Sequence, residues 1–405
     1  MIKTVRVRLR PTVEQTQKLW QSAGASRFAY NWAVGYEEKN YINGGKFIDD
    51  CELRRIFTEL KKQPEYNWLY GTSNNITKQA IKDACNAYKK FFKIQKTGEK
   101  FTKNVIEKAK RLNKKLTLRD MNGYPKFKKR NKVEPGFYND PIKLKYKNGK
   151  FLIEKVGWVR ISEPERITVV VFSNPHIKYD GKYWYISVGA ETENPQVELS
   201  GEVVGIDVGI KDLAVCSNDM KFKNINKKPK TKKQTKKLRR LQRKVSRKYE
   251  VLYKYQKSKK GGKFVKTSNI VKLEKKIKLV NRKIANIRLN HIHQATAAIV
   301  KTKPSRVVME SLNIRGMMKN RHLSKAIGEQ GLHSFKSIMK YKCEWNGIEF
   351  VEADRFYPSS KKCVVCGNIK KDLKLSDRTY RCPVCGNVID RDYQAALNLS
   401  TYQIS

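Results

Sequence analysis

No stretch of about eighteen apolar residues occurs in this sequence, so no helix in it can be read as a membrane span. Met1 to Arg10 alternates valine with arginine and lacks the apolar block of a signal peptide, which predicts a cytoplasmic protein. Acidic residues are scarce: 37 Asp and Glu stand against 88 Lys and Arg, leaving a net charge of +51. With 405 residues the chain is long enough for roughly two or three domains and a sizeable core, which excludes a disordered polycation. A folded body must therefore carry the excess charge on its surface, where it attracts a polyanion. Nucleic acid is the expected one, because Lys and Arg that neutralise phosphates release condensed counterions. Cysteine is scarce as well. The eight present are too few for a disulfide scaffold, and Cys51, Cys85, Cys216 and Cys343 are scattered singly, as buried thiols usually are. No helix-turn-helix or finger array stands out to read a long stretch of bases.

The pattern that is present divides the chain. Val5, Val7 and Leu9 alternate with Arg6 and Arg8, the period of a half-buried strand that Pro11 ends. Thr12 and Gln15 have the spacing of a capping box, which predicts a helix through Leu19 and Trp20. The helical reading continues to about Lys115. Its clearest stripe is Ala80, Ile81, Ala84, Tyr88, Phe91 and Phe92, with Lys78, Lys82, Lys89 and Lys93 largely off it. A solvated face and an RNA-facing one both fit those lysines. Between about Pro141 and Glu191, Asn148-Gly149 and Asp180-Gly181 each sit between aromatic-rich runs as hairpin signals. One strand, a helical stretch and then hairpins predict a small β-barrel interrupted by a helical insertion.

From Lys221 to Lys266 there are 21 basic residues and one acid, Glu250, yet Leu238, Leu241, Val245, Tyr249 and Leu252 keep helical spacing. Leu273, Ile277, Val280, Ile284 and Ile287 then repeat like a coiled-coil seam. Two helices packed as a hairpin fit, with Gly261-Gly262 in the connection. Repulsion among so many like charges favours an anionic partner against that face.

Val203-Val204-Gly205-Ile206-Asp207 is an apolar strand ending in a carboxylate, and Arg306-Val307-Val308-Met309-Glu310 repeats the arrangement. An isolated buried acid is costly, whereas two delivered by adjacent strands make the hard oxygen site that Mg²⁺ prefers. A third acid comes from Asp390-Arg391-Asp392, where Asp392 precedes the helix-like run Tyr393 to Leu399. Three carboxylates can hold two Mg²⁺ ions for phosphodiester hydrolysis. Singly, an acid after an apolar strand is more often a cap or a loop residue, and only the combination of three points to metal. Cys363, Cys366, Cys382 and Cys385 form two Cys-x-x-Cys pairs, each followed by Gly367 or Gly386, and predict one structural Zn²⁺ held by four thiolates. A redox pair would need a thioredoxin-like strand and helix, and none is evident.

Gly205-Ile206-Asp207-Val208-Gly209, Glu310-Ser311-Leu312-Asn313, Tyr357-Pro358-Ser359-Ser360-Lys361 and Asp390-Arg391-Asp392 with Ala395-Ala396 together resemble TnpB. This is the OrfB-type protein of insertion sequences and the ancestor of compact type V CRISPR effectors. Arg10-Pro11-Thr12 with Gln15, and Arg27 through Asn31, resemble that family's opening. The likeness is densest from Val203 to Leu399 and weakest from Asp50 to Asp140.

The resemblance implies an α+β multidomain chain. A wedge-type β-barrel with an inserted helical recognition domain would be followed by an RNase H-like (RuvC) α/β nuclease domain carrying a zinc ribbon. The expected boundaries are a first wedge strand at 1–11, the recognition domain at 12–118 and the barrel at 119–200. The nuclease domain would take 201–225, a basic helical hairpin at 226–300, a second part at 301–358, the ribbon at 359–388 and a final helix at 389–405. Asp207, Glu310 and Asp392 would be the catalytic, Mg²⁺-binding acids of a single site, with Asp390 as a substitute for the third. A guide RNA, target double-stranded DNA and its displaced single strand would be the partners, and cutting would occur next to a short flanking motif. A compact CRISPR effector, a DNA transposase and a non-enzymatic zinc-ribbon nucleic-acid binder are the alternatives.

Overall fold

The computed structural model describes residues 1–130, 132–193, 197–257, 265–374 and 377–403, in two compact units, Met1–Thr192 and Glu193–Ser405. In the first unit the valine-arginine alternation gives β1 (Ile2–Arg10), with Val7 and Leu9 buried and Arg6 and Arg10 exposed. Thr12 caps α1 (Val13–Ile42): its Oγ1 accepts the Gln15 N–H at 3.2 Å, and Gln15 Oε1 accepts the Thr12 N–H at 3.1 Å. Next come α2 (Asp50–Lys61), α3 (Asn74–Thr97) and α4 (Lys103–Arg111). On α3 the apolar stripe is buried in a cluster with Ala29, Ala33 and Val34 of α1, and Lys78, Lys82, Lys89 and Lys93 are exposed.

The strands that follow are β2 (Gly136–Tyr138), β3 (Lys145–Lys147), β4 (Lys150–Ile153), β5 (Gly157–Ile161), β6 (Phe172–Tyr179) and β7 (Trp184–Glu191). They join β1 in one sheet of order β2-β6-β7-β1-β5-β4-β3. β1 pairs with β7 from Ile2 to Arg8 and passes to β5 at Leu9 and Arg10. The first strand of the chain thus lies between strands that follow all four helices. Asn148 and Gly149 both take positive φ, 47° and 70°, and close the β3–β4 hairpin as the turn chemistry predicts. Asp180-Gly181 likewise lies in the β6–β7 hairpin turn: Gly181 takes φ of 95°, the Asp180 N–H donates to the Tyr183 carbonyl at 3.1 Å, and Asp180 Oδ1 accepts the N–H groups of Lys182 and Tyr183 at 3.0 and 2.9 Å. Strand structure also starts earlier than Pro141, at β2.

The second unit runs β8 (Ser200–Asp207), β9 (Asp212–Cys216), β10 (Lys221–Lys223), α5 (Pro229–Lys257), α6 (Ser268–Lys301), β11 (Pro304–Glu310), α7 (Ile314–Met317), α8 (Ser324–Gln330), α9 (Leu332–Trp345) and β12 (Glu349–Ala353). A small hairpin, β13 (Thr379–Arg381) and β14 (Val388–Asp390), precedes α10 (Arg391–Ser400). The main sheet has the order β10-β9-β8-β11-β12, with β8, β11 and β12 parallel. Side chains alternate across it. Val204, Ile206, Val307 and Met309 pack with Ile292, Ile299, Phe335 and Met339 of α6 and α9. Val203, Val308, Val351 and Ala353 lie on the other face, with Leu399 of α10.

The expected helical hairpin is present: Leu238, Leu241, Val245, Tyr249 and Leu252 are half-buried on α5, and Val280 and Ile284 are buried on α6. Gly261-Gly262 lies outside the described residues. Of the four single cysteines, Cys85, Cys216 and Cys343 are buried, but Cys51 is exposed, since α2 buries Leu53, Phe57 and Lys61 and turns its second residue outward. No helix among the described residues is long and apolar enough to cross a membrane.

Gly205 decides how α10 meets the sheet. A Cβ there would collide with the backbone of Ala396, Leu399 and Ser400, so only glycine permits this approach. Gly205→Ala is expected to destabilise the fold by about 1–3 kcal/mol or more, as overpacking does. Urea unfolding of the variant against the parent measures it.

Candidate active site and metal centre

Asp207 and Glu310 are the last residues of two adjacent parallel strands, with Ile206 paired to Met309 just before them. Strand alternation puts both acids on the face that α10 covers. The third acid arrives with that helix. Here the structure divides the Asp390-Arg391-Asp392 run: Asp390 is the N-cap, its Oδ1 accepting the N–H groups of Asp392 and Tyr393 at 2.9 and 3.2 Å. Asp392 sits inside the first turn and is buried. Arg391 Nη2 reaches it at 3.2 Å and Arg378 Nη1 at 3.8 Å. Asp390 keeps more exposure and has Lys221 Nζ at 3.9 Å.

Part of Asp207 still reaches solvent, but its carboxyl group lies deep among surrounding atoms. That burial, and then the negative charges of Asp392 and Glu310, push it up to about 8, against a smaller opposing pull from Arg391. Burial likewise raises Glu310. The charges of Asp392 and Glu310 therefore reach Asp207, although the three acids are not drawn into a closed cage. Among the described residues the four C-terminal cysteines are the one group of metal-binding side chains whose ligand atoms all lie within 4.8 Å of one another. Hard oxygen donors that repel each other in a partly desolvated place fit a divalent cation.

The corner between β12 and the cysteine pairs is tied to the same helix. Asn398, buried on α10, donates to the carbonyls of Ser359 and Lys362, both at 2.7 Å, and its own carbonyl accepts the Tyr357 hydroxyl at 2.9 Å. Arg378 was not legible as a site residue, since nothing in Asp377-Arg378-Thr379 marks it off from the many other basic residues.

The cysteine cluster closes tightly. Cys363 Sγ is 3.6 Å from Cys385 Sγ, and Cys366 Sγ is 3.5 Å from Cys382 Sγ, near the roughly 3.8 Å edge of a tetrahedral four-thiolate zinc site. Gly367 and Gly386 take φ of +74° and +69°, and their N–H groups return to the carbonyls of Cys363 and Cys382 at 3.0 and 3.2 Å. The Cys385 N–H, the largest influence, helps lower the Cys382 thiol to about 6. At Cys385 the N–H of Asn387 favours ionisation, yet burial and the neighbouring sulfurs push that thiol up to about 12. Four thiolates so close need a cation, and the donor set fits zinc. Among the described residues of this segment, Tyr380 with Leu373 and Ile389 beside it forms the apolar core around the cysteines.

Basic surface is present in each unit. α5 exposes Arg239, Arg240, Arg243, Lys244, Arg247 and Lys248. In the first unit an open cleft of about 540 Å³ is lined by Arg27, Gln79, Lys128, Tyr138, His176 and Lys178, among others.

Residues 185–321 match the OrfB IS605 family model, described as a probable transposase, and residues 333–399 match the Cas12f1-like TNB domain. Over residues 185–321 the chain is thus similar to the OrfB-type proteins. Residues 1–46 match a second OrfB IS605 model, described as a helix-turn-helix domain, but here they fold as β1 followed by the single long helix α1. An Escherichia coli K12 protein provisionally named RNA-guided DNA endonuclease InsQ is 28% identical over 98% of this chain and 91% of its own length. A Streptomyces pristinaespiralis protein provisionally named RNA-guided DNA endonuclease is also 28% identical, over 98% of this chain and 88% of its own. The solved structure of the mini-RNA-guided endonuclease CRISPR-Cas phi3 shares the fold at a TM-score of 0.50 and 10% identity, covering 98% and 92% of the two chains.

Freshly purified protein is expected to contain one zinc per chain by elemental analysis, and Cys382→Ser to lose it together with the ordered ribbon. In protein stripped of divalent ions, Asp207→Asn is expected to stabilise the fold. The folded Asp207 holds its proton up to about pH 8, whereas the unfolded carboxyl releases it near 3.8. Stability of the parent therefore falls as pH rises through that window, by roughly a kcal/mol per pH unit. Urea unfolding of both proteins at pH 5 and pH 8 should show the gap widening at pH 8.

Proposed function

We propose that this chain is a metal-dependent, RNA-guided DNA endonuclease with Asp207, Glu310 and Asp392 as its catalytic acids. The observation that carries the proposal is the convergence of these acids from the ends of β8 and β11 and the first turn of α10, in a protein of net charge +51. The names of its full-length relatives support the RNA-guided reading.

In this reading Asp207, Glu310 and Asp392 hold two Mg²⁺ ions, which would supply an activated water and counter-charge for the leaving oxygen. The protein's own part is positional. Parallel strands fix Asp207 and Glu310, the Asp390 cap fixes the first turn of α10, and Arg391 and Arg378 balance Asp392 within a crowded cluster of charge. Asp390, committed to two backbone N–H groups, is the weaker candidate for the third ligand.

The sheet order and α10 support an RNase H-like nuclease domain, and the return of β1 into the later strands supports a wedge barrel interrupted by the helical recognition domain. We assign the domain boundaries given above on that basis. Zinc at the four cysteines has a structural role, since a four-thiolate site leaves no open position. The exposed cations of α5 contact phosphates of a guide RNA and its heteroduplex with target DNA. The cleft in the first unit is the place proposed for a short flanking duplex. The enzyme acts on DNA in a prokaryotic cytoplasm.

Replacing Asp207, Glu310 or Asp392 with Ala is expected to abolish cutting while nucleic-acid binding survives, because Lys and Arg supply most of the affinity. Normal cutting by Asp392→Ala, with none by Asp390→Ala, would reverse the choice of third ligand. Guided targeting is tested by exchanging the guide segment: the cut should move to newly complementary DNA beside an unchanged motif. The description of the OrfB family as a transposase favours a second reading, DNA strand transfer. Joined rather than merely cut DNA ends in the same assay would establish it.

A further inference from the structure

Phe356 is 85% exposed, the most exposed large apolar side chain among the described residues. It does not stand on a loose segment. Asp354 Oδ1 accepts the Phe356 N–H at 2.7 Å, and Asp354 N–H donates to the Tyr402 hydroxyl at 3.2 Å. On its other side Tyr357 packs edge-on against Tyr402 at 4.9 Å and donates its hydroxyl to the Asn398 carbonyl at 2.9 Å. The backbone is thus fastened on both sides of an aromatic ring left in solvent.

Its place gives that exposure a purpose. β12 runs parallel to β11, and its last residue, Ala353, pairs with Glu310. Phe356 follows three residues later, so at most about 11 Å of chain separates it from the strand end beside that acid. Arg355, the residue before it, is exposed as well. A fixed, solvent-facing ring with a cation beside it, next to a carboxylate cluster, matches what an unpaired nucleotide requires: a surface for the base and a charge for the phosphate.

We propose that Phe356 is a stacking platform for one unpaired base of the DNA strand that passes the acids, with Arg355 on an adjoining phosphate. This rests on the nuclease reading and adds a positioning residue to it. A duplex base presents no free face, so the platform selects single-stranded DNA at this point.

The test uses the full-length Glu310→Gln protein, so that no cutting intervenes, and single-stranded oligodeoxynucleotides carrying 2-aminopurine at successive positions. Stacking should quench the probe at one position. Phe356→Tyr should keep the quenching, while Phe356→Leu and Phe356→Ala should lose it and weaken binding roughly 5- to 150-fold. An abasic nucleotide at that position should weaken binding by the parent and cost the Ala variant nothing more. Unchanged zinc content and urea unfolding establish that the variants are folded, as expected for so exposed a side chain. Quenching retained by the Ala variant overturns the proposal. So does equivalence of Leu and Phe, which would mark a generic apolar contact such as protein docking. Because no cutting is needed, a protein that fails to cleave DNA but shows aromatic-dependent quenching would refute the nuclease reading and leave the platform standing.

Discussion

How closely α10 can approach β8 governs the second unit. The helix passes over Gly205 at a separation that no other residue would allow, and this fixes where its N-terminal end lies against Asp207. A larger separation would leave three unrelated acids, each solvated and ordinary. At the observed one, a carboxyl at the end of an apolar strand is buried and also feels two others, and both effects hold back its ionisation. Packing and electrostatics are thus one constraint seen at two points: the glycine permits the contact, and the altered acidity of Asp207 records it.

The rest of the unit reinforces that geometry from different directions. α6 and α9 fill the opposite face of the sheet with Ile292, Ile299, Phe335 and Met339, so the strands cannot yield away from α10. Asn398 fastens the corner preceding the cysteine pairs to the same helix, and Arg378 joins the ribbon side to Asp392. The metal centre and the carboxylate cluster therefore share a support.

Much of this was legible in the sequence because it rests on local pattern. Thr12 and Gln15 announce a helix start through hydrogen bonds three residues apart, Asn148-Gly149 announces a turn through its positive φ, and the cysteine spacing encodes its own closure. The apolar runs ending in Asp207 and Glu310 likewise show which acids leave a sheet at its carboxyl edge. What depended on contacts distant in sequence was less visible. Asp390 and Asp392 are both acids at a helix start, and only the cap hydrogen bonds separate their roles. Arg378 acquires meaning from Asp392 fourteen residues on, among basic residues that look alike. Cys51 shows the limit of residue type as a guide to burial, since the face of its helix decides.

The position of β1 has a consequence for how the protein is made. Ile2 pairs with Glu191 and Leu9 with Ile161, so β1 finds its neighbours only after some 150 to 190 further residues have been made. At about 5–20 residues per second, that is a wait of roughly 10–40 s. During this interval an edge rich in valine and arginine has no strand beside it, while α1 to α3 can already gather around their own apolar cluster. Closing so long a loop is entropically slow. The mutual repulsion of Arg6, Arg8 and Arg10 then discourages the waiting strand from pairing with its counterpart on another nascent chain.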